Sequence, residues 1–464
     1  MAPLMFGGLV LFLLIGFPVA FSLAAVGLFF GFISIELGIF TFHYLENLPL
    51  RVFGILSNDL LLAIPFFTFM GAILERCGLA EDLLEGTGQL FGRAPGGLAI
   101  AVILVGAVLG AITGTVAASV IAMGMISLPA MQRYGYDMRL ATGVIAASGT
   151  ITQLIPPSLV LIILADQLGR SVGDMYLGAI GPSLLQVALF LAFIGGVAIF
   201  RPGWMPPLPE EARTERGWPL VIRVLWGMIP SIVLIFLVLG TIMLGLATPT
   251  EAGAMGAVGA LALAALHRRL TWPLVKQGMD TTMRITCMVV FILIGSTVFS
   301  LVFQGVDGGP WIEHLLSGLP GGVVGFLIFV NLFVFALAFF LDFFEIAFII
   351  IPLLAPVAQK LGIDLVWFGV LLCVNMQTSF MHPPFGFALF YLRGIAPPSV
   401  RSRDIYWGAI PWVLLQLVLV VIVIFWPGSV TYWLDHGPKV DPGSVRIEAP
   451  PPDTGIPAAP LEFK

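Results

Sequence analysis

The fold class this sequence predicts is an all-α polytopic membrane protein made of two inverted-topology repeats, each with a re-entrant hairpin and a broken transmembrane helix. Three observations carry it. Of 464 residues, 59% are hydrophobic and only 10% charged, with a mean hydropathy of +1.05; a soluble domain carries about 25% charged residues. Two segments set paired prolines among glycine, hydroxyl and amide residues, GTITQLIPPS (residues 149–158) and QTSFMHPPFG (residues 377–386). Finally, one offset of 227 residues relates Pro156 and Pro157 to Pro383 and Pro384, Gly135 and Asp137 to Gly362 and Asp364, and Pro129 to Pro356.

Proline lacks a backbone donor and disfavours helix in the residue before it, so a spanning helix breaks at each pair. Irregular backbone at membrane depth is tolerated only where it is buried in protein or lines a wet cavity. Interrupted apolar segments at corresponding positions of two halves point to the binding site of a secondary carrier.

In chain order, residues 1–200 form the first repeat. Its spans are residues 4–32, 59–75, 141–165 across the break, and 176–200. The first run is long enough to span at about 1.5 Å per residue and lacks the basic start of a cleaved signal, so it is expected to remain. Residues 79–90 pair leucines with acids, as an amphipathic arm along the membrane surface would. Residues 97–131 are too long for one span and are interrupted by ITGTVAAS (residues 112–119). About 20 residues are needed per span, so a re-entrant hairpin is expected, with its tip at the midplane.

A Pro-rich linker, residues 201–219, joins the second repeat, residues 220–426. Spans are expected over residues 220–244, 250–266, 284–303, 365–391 across the second break, and 406–425, with an arm at 311–316 and a hairpin at 321–359 interrupted by LDFFE (residues 341–345). Residues 427–464 read as a flexible tail. With the N-terminus cytoplasmic, 15 of the 21 Lys and Arg residues fall inside, as the positive-inside rule requires. The hairpins then enter from opposite faces.

The net charge of −5 and the lack of a basic patch exclude nucleic acid as a partner; the lipid bilayer is the medium. Cys77, Cys287 and Cys373 have no metal-ligand spacing and read as inert. No HExxH or GxSxG occurs and the five histidines are scattered, so no enzyme is expected. A channel also uses broken helices but needs no duplicated ion and substrate site.

Four polar clusters form the candidate site. They are Thr113, Gly114, Thr115 and Ser119 at the first tip; Ser148, Gly149, Thr150, Thr152, Gln153, Pro156 and Pro157 at the first break; Asp342 and Glu345 at the second tip; and Asn375, Gln377, Thr378, Ser379, His382, Pro383 and Pro384 at the second break. Hydroxyls and freed carbonyls suit a hard cation such as sodium, for which Ser148, Thr150, Asp342, Asn375 and Thr378 are the candidates. Helix amide ends suit a carboxylate. For any single Ser or Thr, a bond back to its own helix is the competing reading. A carboxylate in a membrane segment costs roughly 2.5 to 3.5 kcal/mol, which makes function the default for Asp342 and Glu345, with an interhelical structural role as the alternative. Glu251 reads as a cap for the helix after Pro249. His382 reads as hydrogen-bonded in place, with substrate contact or titration as the alternative.

The motifs TPTEAGAMGA (residues 248–257), LPAMQRYGYD (residues 128–137), LIPPS (residues 154–158), KLGID (residues 360–364) and HPPFG (residues 382–386) resemble the large membrane subunit of tripartite ATP-independent periplasmic (TRAP) transporters, DctM-like, up to about Trp426. The resemblance implies an elevator-type carrier, similar to the ion transporter superfamily, in the bacterial inner membrane. It implies ion-coupled uptake of an organic acid, with sodium as the usual driving ion and no cofactor. The implied partners are a periplasmic substrate-binding protein and a small membrane subunit, separate or fused. A proton-coupled carrier or antiporter of the same class is the alternative. The chain departs from the family's pattern in its first tip, TGTVA, and in His382 before the second proline pair.

Overall fold

The computed structural model describes residues 1–434, apart from Gly114, residues 213–216, Phe340 and Phe385. The tail from residue 435 lies outside the described residues. All regular structure among the described residues is helical. Among the described residues seven helices are long and apolar enough to cross a membrane, or eight with one pair bent by 47°.

The first apolar run is two helices, α1 (Ala2–Ile15) and α2 (Val19–Glu36), rather than the single span expected over residues 4–32. Gly16 takes a left-handed conformation, φ 90°, that favours glycine, and Pro18 two residues on cannot continue the helix. The chain folds back there: a Cβ on Gly8 would lie 3.4 Å from the Phe30 ring. Phe6 lines one apolar cavity with Trp311 and Leu315.

The first repeat continues through α3 (Leu48–Leu56), α4 (Ala63–Arg76), the arm α5 (Leu79–Phe91), a hairpin of α6 (Gly97–Thr113) and α7 (Val116–Arg133), a broken helix of α8 (Met138–Thr150) and α9 (Leu159–Leu168), and α10 (Val172–Phe200). The hairpin's second arm runs through Pro129 to Arg133 and so has 18 residues, longer than the sequence suggests. The linker is bonded to loops of the first repeat, through Gly96 N to Met205 O at 3.0 Å, Leu208 N to Gly92 O at 2.9 Å and Asp137 N to Trp204 O at 2.9 Å.

The second repeat comprises α11 (Trp218–Met243), α12 (Pro249–Leu266), the 34-residue α13 (Trp272–Gly305), the arm α14 (Gly308–Ser317), and a hairpin of α15 (Gly322–Leu337) and α16 (Phe343–Glu345). The last passes through a π turn (Ile346–Ile350) into α17 (Ile351–Lys360). The second broken helix follows, α18 (Leu365–Met376) and α19 (Phe387–Ile395), then α20 (Ser402–Phe425) and α21 (Gly428–Thr431). Residues 428–431, read with the tail, are helical, and Val430 is buried. A Cβ on Gly178 of α10 would lie 2.9 Å from the Val430 side chain, so apolar packing holds this turn in place.

Both repeats start their broken helix in the same way. Gly135 and Gly362 are left-handed at φ 77° and φ 72°, which reverses the chain before an aspartate cap. Asp137 accepts from Arg139 N and Leu140 N, and Asp364 accepts from Trp367 N at 2.9 Å; such caps satisfy orphan amides of the first turn.

Register shows how the repeats are related. Gly106 meets Ser148, and Gly110 meets Thr152, so α6 runs parallel to α8 with partners 42 positions apart. Phe326 stacks on Phe368 at 6.0 Å, also 42 positions apart, and Asn331 bonds Asn375, so α15 and α18 repeat the arrangement. The two broken helices are antiparallel to each other: Gln153 O accepts from Cys373 Sγ at 3.4 Å, while a Cβ on Gly369 would lie 2.6 Å from the Leu168 side chain. One unit thus occurs twice, the second copy inverted.

Outside this core, α2 lies along α13, where a Cβ on Gly27 would come within 3.1 Å of the Phe299 backbone, and α4 lies along α12, where one on Gly253 would come within 3.1 Å of Phe66. Glu251 caps α12 as expected: Thr248 N donates to Glu251 Oε2 at 2.8 Å, and Glu251 N to Thr248 Oγ1 at 3.3 Å.

Candidate functional site

The first break is hydrogen-bonded largely within itself. Ser148 Oγ donates to Ile145 O at 2.8 Å, Thr150 Oγ1 to Ala147 O at 2.9 Å, and Thr152 Oγ1 to Gly149 O. These are bonds back to the helix, the competing reading for each hydroxyl, and they leave the hydroxyl oxygens able to accept. Ser158 caps α9, accepting from Val160 N and donating to Gln153 O, while Gln153 Oε1 has no partner. Pro156 and Pro157 are buried and joined by a cis peptide.

The first hairpin closes over this break. Thr152 Oγ1 lies 3.3 Å from Ser119 Oγ. Gly149 is packed against Val120, where a Cβ would collide, and a Cβ on Gly110 would lie 2.9 Å from Thr152 Cα. Gly110 and Ser119 flank the tip, so the tip reaches the broken part of its own repeat. Thr115 precedes α7 in extended backbone and is half-buried. Gly114 and the Thr113 side chain lie outside the described residues.

The second break differs in its polar inventory. Asn375, Gln377, Thr378, Ser379 and His382 are at most 5% exposed. Asn375 Oδ1, Gln377 Nε2, Thr378 Oγ1 and Ser379 Oγ have no hydrogen-bond partner. Leaving one such group unpaired costs about 1–3 kcal/mol, so this is where a bound polar species gains most. Three of the four atoms are oxygens, which fits a hard cation; the amide donor fits an anion. Asn375 Nδ2 donates to Asn331 O at 2.7 Å and lies 3.0 Å from Asn331 Oδ1, which ties the break to α15. Pro383 and Pro384 also share a cis peptide, with Pro384 exposed.

His382 is held by rings rather than by the hydrogen bond expected for it. Phe339 stacks on it at 4.0 Å and Phe335 meets it edge-on at 4.5 Å, and one ring nitrogen faces the Ala338 carbonyl outside hydrogen-bond geometry. A histidine inserted between two phenylalanines of the hairpin gains contact area, while both of its ring nitrogens stay buried without a partner, as the other unpaired groups of this break do.

Asp342 and Glu345 form a reciprocal cap at the start of α16. Asp342 N donates to Glu345 Oε2 and Glu345 N to Asp342 Oδ1, both at 3.0 Å. The sequence signal was present, since D-x-x-E at a helix start is the capping-box pattern. Both side chains remain partly exposed. The next residue, Phe343, lies 6.2 Å from the Phe380 ring, which brings the second tip to the second break. Of the five cation candidates, Asn375 and Thr378 share the second break, Ser148 and Thr150 share the first, and no hydrogen bond joins Asp342 to any of them among the described residues.

Three residues absent from the sequence reading complete the site. Asn331 is the partner of Asn375. Gln186 Nε2 donates to Gln377 Oε1 at 2.6 Å, and Gln416 Nε2 to Thr150 Oγ1 at 2.9 Å. Each is a lone amide in an apolar helix, the kind of intramembrane polar residue that marks an interhelical contact.

A family model described as "Tripartite ATP-independent periplasmic transporter, DctM component" matches residues 6–429. The C4-dicarboxylate TRAP transporter large permease protein DctM of Rhodobacter capsulatus is 31% identical over 445 residues, covering 92% of this chain and 97% of the relative. The isethionate TRAP transporter permease protein DctMQ of Oleidesulfovibrio alaskensis is 28% identical, over 92% of this chain and 65% of that one. Among solved structures, the Alcanivorax borkumensis YdaH transporter shares the fold, with a TM-score of 0.59 and 15% identity over 82% of this chain and 87% of that one.

Proposed function

From the premise that the chain belongs to the DctM family of tripartite ATP-independent periplasmic transporters, as a transport component and not an enzyme, we propose that it carries an organic acid across the bacterial inner membrane with sodium as the coupling ion. The observation that carries this reading is the second break, where buried oxygens and an amide donor stand unpaired between the hairpin and the helix ends. A carboxylate bound with sodium pairs those groups and leaves neither charge bare at the midplane. Relatives named for a C4-dicarboxylate and for isethionate, both organic anions, support an anionic solute.

A periplasmic binding protein delivers the solute in this reading, and a small membrane subunit works beside the chain; the longer relative named DctMQ supports the second partner. Proteoliposomes holding this chain, the small subunit and the binding protein are expected to accumulate the acid under an inward sodium gradient. Omitting either partner is expected to lower uptake at least about tenfold, the loss that 1.4 kcal/mol represents. Full uptake by the lone chain contradicts the assignment, and accumulation driven by a proton gradient without sodium replaces sodium with the proton.

In the same proposal the two hairpins, the two broken helices, α10 and α20 move together against α2, α4, α12 and α13, as in an elevator. Among the described residues, polar links between the groups include Asn58 Nδ2, in the loop before α4, to Asp166 Oδ1 at 2.8 Å and Ser296 Oγ to Phe348 O. Orientation follows from the arginines, with Arg133 cytoplasmic and Lys360 periplasmic. In this reading the fold-back of α1, with Phe6 sharing a cavity with the arm α14, supports a periplasmic Met1 in place of the cytoplasmic one. Single cysteines beside Met1 and Lys360 are expected to react with an impermeant thiol reagent from outside, and one beside Arg133 only from inside. Labelling of positions 133 and 360 from the same side sinks the inverted orientation.

A further inference from the structure

Gln186 in α10 and Gln416 in α20 are both fully buried, and they stand 230 residues apart, close to the repeat offset. Their partners, Thr150 and Gln377, are related by the offset of 227 itself. The pairing is crossed: Gln186 of the first repeat bonds the second break, and Gln416 of the second repeat bonds the first break. At the Gln416 end the two breaks also meet directly, with Met381 Sδ 3.8 Å from Thr150 Oγ1 and 3.9 Å from Gln416 Nε2. The direction of that bond is set by chemistry. Thr150 has one hydroxyl proton and gives it to Ala147 O, so its oxygen can only accept, and Gln416 must donate.

We propose that Gln186 and Gln416 are a crossed pair of positioning residues, each fixing the helix break of the opposite repeat in the geometry that binds the ion and its co-transported anion. This rests on the transport reading above. A break lacks the ladder of bonds that holds a helix rigid, so the polar side chains at Thr150 and Gln377 need an outside partner to stay aimed. Because each partner comes from the other repeat, displacing one break is felt by a helix of the opposite repeat. Both glutamine Oε1 atoms have no partner, so each amide acts through its Nε2 alone, Gln186 on Gln377 and Gln416 on Thr150, with Met381 Sδ as a weaker second acceptor for Gln416.

Two double-mutant cycles test this, with Gln416→Leu against Thr150→Val and Gln186→Leu against Gln377→Leu. The readouts are the half-saturating sodium concentration for uptake by the reconstituted complex and the thermal midpoint of the purified chain. Each single variant is expected to raise the half-saturating sodium concentration about tenfold, a loss of the size of one buried hydrogen bond. Within each pair the double variant is expected to be no worse than the poorer single. Combining Gln416→Leu with Gln186→Leu is expected to compound the loss. A lowered thermal midpoint with unchanged sodium response makes the glutamines merely structural, and multiplicative effects within a pair deny the pairing; either overturns the proposal. A wild-type complex without sodium response instead overturns the transport reading. The thermal midpoints then still decide the pairing, additive losses rejecting it and non-additive losses retaining it.

Discussion

The Gly110→Val variant is expected to cut uptake by about ten- to a hundredfold while the protein still inserts. At this glycine the first hairpin rests on the first break, and an added Cβ would lie 2.9 Å from Thr152 Cα and 3.2 Å from Thr152 N. Those are backbone atoms and cannot swing aside as a side chain does. Overpacking of this kind costs about 1–3 kcal/mol and is relieved by shifting the elements apart. A shift of a few tenths of an ångström separates Ser119 from Thr152, already 3.3 Å apart, so the tip loses its register on the site. Gly195→Val is the control, since a Cβ there meets nothing within 4 Å. Uptake rates normalised to reconstituted protein decide it: wild-type rates for Gly110→Val, or an equal loss for Gly195→Val, remove the hairpin from the mechanism.

Asp342→Asn is expected to raise the half-saturating sodium concentration at least about tenfold, the equivalent of 1.4 kcal/mol of lost cation binding. The substitution separates two roles that the structure superimposes. Asparagine caps a helix about as well as aspartate, so the bond to Glu345 N can persist while the negative charge is lost. If the carboxylate serves only as the cap of α16, Asp342→Asn behaves as wild type and Asp342→Ala alone is impaired, by about 1 kcal/mol in stability. Docking of the proposed binding protein is expected to be unchanged in both variants. Unaltered sodium dependence in Asp342→Asn, together with wild-type uptake driven by a proton gradient alone, replaces sodium with the proton as the coupling ion.

The sequence carried the architecture wherever a local rule acts strongly. Paired prolines break a helix whatever surrounds them, so both breaks fall where GTITQLIPPS and QTSFMHPPFG place them, and the arms before each hairpin follow from leucine and acid spacing. The fold-back at Gly16 and Pro18 obeys the same rule, yet its apolar surroundings hid it within a run long enough to pass for one span. The cap made by Asp342 and Glu345 was legible as D-x-x-E but was outweighed by the cost of carboxylates in a membrane segment.

Which side chains pair was decided only in three dimensions. Gln186 and Gln377 are 191 residues apart, Gln416 and Thr150 are 266 apart, and Asn331 and Asn375 are 44 apart. In an apolar helix a lone amide finds at most a carbonyl one turn back, as Asn331 Nδ2 does at Leu327 O at 2.8 Å, and its other partner depends on which helix packs against that face. The asymmetry between the breaks has the same origin. The hydroxyls of Ser148, Thr150 and Thr152 close onto carbonyls one turn back, whereas Thr378 and Ser379 do not, although the offset makes Thr152 and Ser379 equivalent. By itself the sequence determined that the chain crosses a membrane as two related, interrupted halves, because breaking and burial are properties of single segments. The tertiary structure decided which break leaves more of its polar groups unpaired and which residues brace each one, because a hydrogen bond is satisfied or left open only once two distant segments are brought together.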